Sequence, residues 1–441
     1  MCLSDVTLIA AFASAVLLAP QSRDAAQSAQ TPAAPAPAKA ADPSKFVTQP
    51  LVHDIYTADP SAHVFNGRIF VYPSHDIDAG VKPDDLGSHF AMPVEETVVV
   101  AELLAERFGL PLWRFKNSGS EATMDACRIM RAATGRDLVI KVEGGYHGSS
   151  DGLAFSYWPD VDLAGPTDAP RPVPNTAGVA EVFGEALRIV PFNDLSAVER
   201  VLAAEGDRVA GMILEPVIMN VGVIQPEPGY LQGLADLLRA RGALLAFDEV
   251  KTGATIAFGG ATERYAVRPD IVALAKAIGG GLPIGAVGGT EEAMRVLADG
   301  TMEGEGTFNG NPLSMAAARA VLVEILTPDV YSQLEKLGNA YASGLRGVIE
   351  RYGLPATVAS VGCRGAVHHV ADPPRDFRHA VRADEKLAHL AWLFQLNGGA
   401  FPPSGDPWTI SITHTEEDLR RSVESFETFA AAVAEPPLLD R

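Results

Sequence analysis

From about residue 93 onward, runs rich in Val, Ile and Leu alternate with stretches of helical periodicity. Strands are predicted at 112–116, 137–142, 208–214, 243–248 and 271–275, and helices at 94–108, 120–133, 229–241, 310–326 and 329–352. A strand that is apolar along its whole length must be covered on both faces, and the intervening helices supply that cover. The expected fold class is therefore α/β, with a mostly parallel central sheet and helices on both faces. After about residue 355 the texture is mixed. A helix near 382–397, a strand in WTISIT (408–413) and a last helix at 415–434 read as a smaller C-terminal α+β domain. The expected large domain spans 93–325 and the small one 326–441.

The region ahead of residue 93 is different. Residues 6–19 (VTLIAAFASAVLLA) form an apolar run of 14, too short to cross a bilayer comfortably and suited to the apolar part of a secretory signal, although no basic leader precedes it. Residues 20–45 are rich in Ala, Pro, Gln and Ser and read as a linker. In residues 46–92, HVFNGRIFVYPS alternates about Asn66-Gly67, a hairpin signal.

Charge narrows the partners. With 35 Lys+Arg against 55 Asp+Glu the net charge is −20, which argues against a phosphate-backbone partner. Neither nucleic acid nor membrane is expected as a partner. Cys2, Cys127 and Cys363 make neither a disulfide framework nor a zinc pattern, so no metal is expected. Cys127 and Cys363 read as small apolar residues in a reduced setting.

Three motifs carry chemistry. In RFKNSGSEATMDACRIMR (114–131) a strand runs through Asn117-Ser118-Gly119-Ser120 into a helix. Free N–H groups at the helix start, a close-approaching glycine and two serine hydroxyls make either an anion cradle or an ordinary helix cap. In LLAFDEVKTG (244–253) an apolar strand ends in Asp248-Glu249. A carboxylate at a parallel strand end either pairs with a protonated ring nitrogen or is an ordinary terminal acid. In DIVALAKAIGGGLPIGAVGG (270–289), Lys276 ends an apolar run and precedes a Gly-rich turn. Desolvation lowers the pKa of an ammonium, as a Schiff-base lysine requires; the alternative is a lysine snorkelling from the core.

Lys276 follows Asp248 by 28 residues. Together with NSGSEATMDACRIMRAATGRD, KVEGGYHGSSDG, LEPVIMNVGVIQPEPGYLQGL, GTFNGNPLSMAAA and SITHTEEDL, these motifs resemble the class III (ω-type) aminotransferases over about residues 90–435. The likeness is greatest to the glutamate-1-semialdehyde 2,1-aminomutases. It implies the fold-type I pyridoxal-phosphate transferase architecture, pyridoxal 5'-phosphate as cofactor, and a small-molecule amino donor and oxo acceptor. It also implies site roles. Lys276 resembles the lysine that holds the cofactor as a Schiff base, and Asp248 the carboxylate that keeps the pyridine nitrogen protonated. Ser118, Gly119 and Ser120 match the phosphate-binding turn. Tyr146 matches the aromatic residue stacked on the ring, with His147 in the same motif and Val250 on the opposite face. Asn220 matches the residue near the ring hydroxyl, and Glu215 shares its strand end. Thr307 resembles a threonine that reaches the phosphate across a homodimer interface, and Glu416 lies near the substrate end in relatives. Such enzymes are cytoplasmic, whereas the start of the chain is export-like. Residues 160–176 suggest a mobile Pro/Gly-rich lid.

The family pattern breaks ahead of residue 93. Relatives carry about 90 further residues there, including a serine and an arginine that contact the substrate carboxylate. Residues 50–92 instead resemble the opening of a family 43 glycoside hydrolase, with Asp59 matching its general base. A junction is expected within 86–93, by fusion or misassembly. One carboxylate cannot hydrolyse a glycoside, because the mechanism needs a positioned pair. Beside the transferase reading stand a chain that binds the cofactor with little turnover and, further off, an extracellular glycosidase.

Overall fold

The computed structural model describes residues 61–65, 68–72, 94–400 and 407–434. The signal-like run, the linker, Asp59 and the expected junction at 86–93 lie outside the described residues. Strands β1 (Ser61–Phe65) and β2 (Arg68–Tyr72) pair antiparallel with Phe65 opposite Arg68. That register leaves Asn66-Gly67 between them, the spacing from which the hairpin is expected.

The main sheet has seven strands: β3 (Leu112–Lys116), β4 (Leu138–Val142), β5 (Leu187–Val190), β6 (Val209–Leu214), β7 (Leu244–Asp248), β8 (Ile271–Ala275) and β9 (Gly285–Gly289). Their order is β3-β9-β8-β7-β6-β4-β5. Only β9 runs against its neighbours; the other pairings are parallel. The sheet is thus mostly parallel, as expected. Strands β5 and β9 are additions to the five that the sequence predicts.

Alternation along β4 shows how both faces are covered. Leu138, Ile140 and Val142 join Met212, Leu214 and Phe247 in one core with α1 (Glu95–Phe108) and the helix Tyr230–Arg239. Val139 faces the other way, with Ala210, Ala246 and Ile271, against α2 (Gly119–Thr134) and the helix Glu291–Ala298. Each large side chain so buried contributes roughly 1.5–3 kcal/mol. A Cβ at Gly211 would collide with Met130 Sδ and the Leu244 carbonyl, so glycine lets α2 lie close to β6. Cys127 and Cys363 are free and buried, and burial pushes the Cys127 thiol up to about 12.

The helix predicted at 310–326 begins on an Asn311 cap and Pro312, then widens into a π-turn over Val321–Ile325. The buried Arg107 guanidinium caps the end of this segment, donating to the Leu322 carbonyl at 2.7 Å and the Leu326 carbonyl at 2.8 Å. A smaller antiparallel sheet of β10 (Thr357–Val361), β11 (Arg364–His368) and β12 (Trp408–Thr409) follows. The strand predicted at 408–413 is only two residues long, because Ser411 turns back on His414 to start the last helix, Glu416–Ala434. Leu345, Val348, Phe426 and Phe429 form the core of this domain. The segment expected to be a free lid is tied down. Ser156 N–H donates to Val173 O at 2.7 Å, and Asn175 N–H to Ala154 O at 2.9 Å. Among the described residues no helix is long and apolar enough to cross a membrane.

Candidate active site

The carboxyl ends of β3, β4, β6, β7 and β8 meet at one edge of the sheet. Parallel strands leave ligand-binding crevices there. The cavity has a volume of about 390 Å³ and is lined by Ser118, Gly119, Ser120, Tyr146, His147, Glu215, Asn220, Asp248, Val250 and Lys276, among others. Ten of the predicted site residues therefore share one pocket although they span 118 to 276 in the chain.

At one end lies the turn into α2. Ser118 has an extended backbone, and its Oγ accepts the Glu121 N–H at 3.2 Å. Glu121 answers by accepting the Asn117 N–H at 2.6 Å. This reciprocal cap starts the helix. It leaves the first-turn N–H groups of Gly119 and Ser120 without intrahelical partners, and both residues line the cavity. The cap and the cradle are thus one structure. A Cβ on Gly119 would come within 3.0 Å of both Val250 methyls, and one on Gly148 would collide with Ser120 Oγ.

The loop after β4 carries Tyr146 and His147. The Tyr146 N–H donates to Glu215 Oε1 at 2.9 Å, and its ring leans on Tyr157 with centroids 4.9 Å apart. His147 is buried. Its Nδ1 lies 2.7 Å from Asp248 Oδ2, while its carbonyl accepts Thr123 Oγ1–H at 2.6 Å. His147 Nε2 has no hydrogen-bond partner among the described residues. Asp248 ends β7, and its Oδ1 accepts the Val250 N–H at 3.0 Å. Glu215 uses its second oxygen for the Met219 N–H at 3.1 Å and Asn220 Nδ2 at 2.9 Å. Burial, and then the nearby Asp248 charge, raise the Glu215 pKa.

Lys276 follows β8 with φ of +52°, a left-handed conformation that a side-chain-bearing residue adopts at a cost of roughly 1–2 kcal/mol. Strain of this kind collects at functional sites, where the surrounding structure enforces it. The side chain opens into the cavity. Although solvent reaches it there, partial desolvation still lowers its pKa, and Asp248 works in the opposite direction.

Two predicted residues are not brought into this lining. Thr307 is exposed on a turn, although the neighbouring Asn309 Oδ1 accepts Asn117 Nδ2–H at 2.9 Å and so ties that turn to the start of α2. Glu416 lies on the surface and pairs with Lys336 at 3.0 Å. The sequence reading passes over Thr123 and Lys141. Lys141 carried a signal: a lysine within the apolar run LVIKV.

The chemistry of the pocket is that of a receptor for a flat, anionic heterocycle. Helix-start N–H groups and hydroxyls can take a phosphate at one end. A fixed carboxylate at the floor suits a protonated ring nitrogen, and an amine of lowered pKa lies in the same cavity. These residues fit pyridoxal 5'-phosphate.

A family model described as aminotransferase class-III matches residues 82–388. A glutamate-1-semialdehyde 2,1-aminomutase from Thermomicrobium roseum is 40% identical over 364 residues, covering 82% of this chain and 83% of that protein. One from Sorangium cellulosum is 40% identical over 352 residues, 78% of each. Among solved structures, an omega-transaminase from Sphaerobacter thermophilus superposes with a TM-score of 0.73 at 29% identity, over 87% of this chain and 92% of that one. A glutamate-1-semialdehyde aminomutase from Pseudomonas aeruginosa PAO1 gives 0.69 at 30% identity, over 77% and 76%.

Proposed function

The chain belongs to the class-III aminotransferase family of pyridoxal-phosphate-dependent enzymes acting on small molecules, and from that premise we propose that it moves an amino group with Lys276, Asp248 and Tyr146 at the centre of the reaction. The observation that carries the assignment of residues is the strained Lys276, opening into the same cavity as Asp248 and the Ser118–Ser120 turn.

Bound here, pyridoxal 5'-phosphate supplies an aldehyde that bonds to amines and a ring that takes up the electron pair left when a C–H proton is removed. Lys276, whose amine lies in the cavity, would hold that aldehyde. The same amine would serve as the group that takes up a proton as base and gives it back as acid. Its lowered pKa suits the first of these tasks. Asp248 keeps a proton on the ring nitrogen, and His147 holds Asp248 in orientation. Tyr146 and Val250, both in the cavity wall, would flank the ring. Ser118, Gly119 and Ser120 hold the phosphate, while Asn220 and Glu215 serve the ring-hydroxyl side. Donor and acceptor carbons in one molecule make the chain an aminomutase; in two molecules, a transaminase.

The assembly we propose is a homodimer in which the exposed Thr307 reaches the neighbouring copy's phosphate. Glu416 is assigned to the substrate end on resemblance alone. The proposed domains are 93–325 and 326–441. The proposed compartment is the cytoplasm, in keeping with two buried free thiols.

Borohydride reduction after soaking in pyridoxal 5'-phosphate tests the centre of this reading. The expected result is one added mass on the peptide bearing Lys276; no adduct there overturns it. Supplying glutamate 1-semialdehyde alone, against amino donors paired with a fixed oxo acid, separates mutase from transaminase.

A further inference from the structure

Lys141 sits near the end of β4, on the same face of the strand as Val139, and is wholly enclosed. An ammonium so enclosed is costly unless its donors are satisfied. Its Nζ donates to the Gly145 carbonyl at 2.5 Å and the Val142 carbonyl at 3.3 Å. The peptide that begins with the Gly145 carbonyl ends with the Tyr146 N–H, which donates to Glu215. One peptide plane is therefore gripped at both ends, its negative pole by an ammonium and its positive pole by a carboxylate.

The grip matters because this turn has little stiffness of its own. Gly144 has φ of +83°, and with Gly145 next to it no side chain restrains the backbone. Yet the two residues that leave the turn are Tyr146 and His147. The nearby charges assign the partners. Arg378 takes both oxygens of Glu143, at 2.8 and 2.7 Å. Asp248 faces His147. Burial pushes the Lys141 pKa down to about 7, and the Glu215 charge opposes that shift, ahead of Glu143 and Asp248.

We propose that Lys141 is a positioning residue for the cofactor ring: together with Glu215 it fixes the Gly145–Tyr146 peptide plane, and thereby the directions of Tyr146 and His147. The proposal rests on the reading of Tyr146 and the His147–Asp248 pair as neighbours of the ring.

The test uses the full chain, with Lys141→Met, Glu215→Gln and the double variant. Two quantities are measured: the dissociation constant for pyridoxal 5'-phosphate, and the induced circular dichroism of the visible band per bound cofactor, which reports how the ring is held. Each single change is expected to weaken binding about tenfold and to lower the induced signal. The double variant is expected to lose about tenfold to thirtyfold, short of the roughly hundredfold of independent contacts. Wild-type affinity and induced signal in folded Lys141→Met, or a hundredfold loss in the double variant, overturns the proposal. If Lys141→Met does not fold, Lys141→Gln carries the same expectation; failure of both to fold makes Lys141 purely structural and also overturns it. A wild-type chain that takes up no cofactor defeats this proposal and the functional reading together, which no result on the variants alone can imitate.

Discussion

His147 Nδ1 lies 2.7 Å from Asp248 Oδ2, with both side chains buried beneath the cavity. The second Asp248 oxygen is held by the Val250 N–H. The carboxylate is thus fixed from two sides before any ligand arrives, so little reorganisation is needed during reaction. Asp248→Asn keeps the shape and removes the charge. It is expected to slow the half-reaction with an amine donor by about 100-fold or more in stopped-flow absorbance. His147→Leu is expected to cost about tenfold. Equal rates in all three proteins would remove Asp248 from the mechanism.

Lys276→Ala should abolish covalent cofactor attachment and slow turnover by about 1000-fold or more. Burial lowers the Lys276 pKa, so the amine becomes reactive at lower pH than an ordinary lysine. The rate of cofactor uptake is therefore expected to level off below pH 10.5, the ordinary lysine value. A rate still climbing through that pH would show an unperturbed amine.

Gly148→Ala tests the close packing of the cradle. The residue has φ of +90°, and a Cβ there would collide with Ser120 Oγ. Binding of pyridoxal 5'-phosphate, read by equilibrium titration, is expected to weaken about tenfold or more. Unchanged affinity would mean that Ser120 yields freely and does not hold the phosphate.

The Arg378–Glu143 pair tests stability apart from chemistry. The two guanidinium contacts make one bidentate pair, and Glu143 is buried. Arg378→Met strands that carboxylate, and urea unfolding is expected to show a loss of about 3 kcal/mol. Adding Glu143→Gln should restore part of it. A single variant as stable as wild type would show that water replaces the arginine.

His369 makes the fold sensitive to acid. Burial pushes its pKa down from 6.5 to about 4, against the opposing pull of Asp384. The unfolded chain then takes up this proton first as pH falls. Stability is accordingly intact above about pH 6.5 and declines towards pH 4, by up to about 3 kcal/mol from this group. His369→Gln should flatten denaturation midpoints across that window; an unchanged slope would assign the acid sensitivity elsewhere.

Particular residues show why some of this was legible in the sequence. Strand 271–275 coincides with β8, because apolar residues buried on both faces announce themselves without tertiary context; 112–116 coincides with β3 although that edge strand carries Arg114 and Lys116 and is buried only at its end. Strand β9 did not, since Gly285-Ala286-Val287-Gly288-Gly289 has the composition of a loop. Its glycines answer to neighbours far away in the chain. A Cβ on Gly288 would collide with the Trp113 ring, and one on Gly285 with the Ser118 carbonyl. Within the site, Lys276, Asp248 and the serine turn stood at strand ends or a helix start; each alone allowed an ordinary reading, and the resemblance of the whole set to the family gave them roles. Lys141 stood inside a strand, and only the placement of the Gly145 carbonyl gives it a role.

The direction of synthesis adds a consequence to the placement of Lys276 on β8. A growing chain would complete the serine turn, the Tyr146 loop and Asp248 before it carried the Lys276 amine that is to anchor the aldehyde. The edge strand β3 would find its neighbour β9 only after residue 289 had emerged. A nascent chain could therefore hold the vitamin derivative only loosely, by its phosphate, and durable capture waits for the far end of the sheet to close.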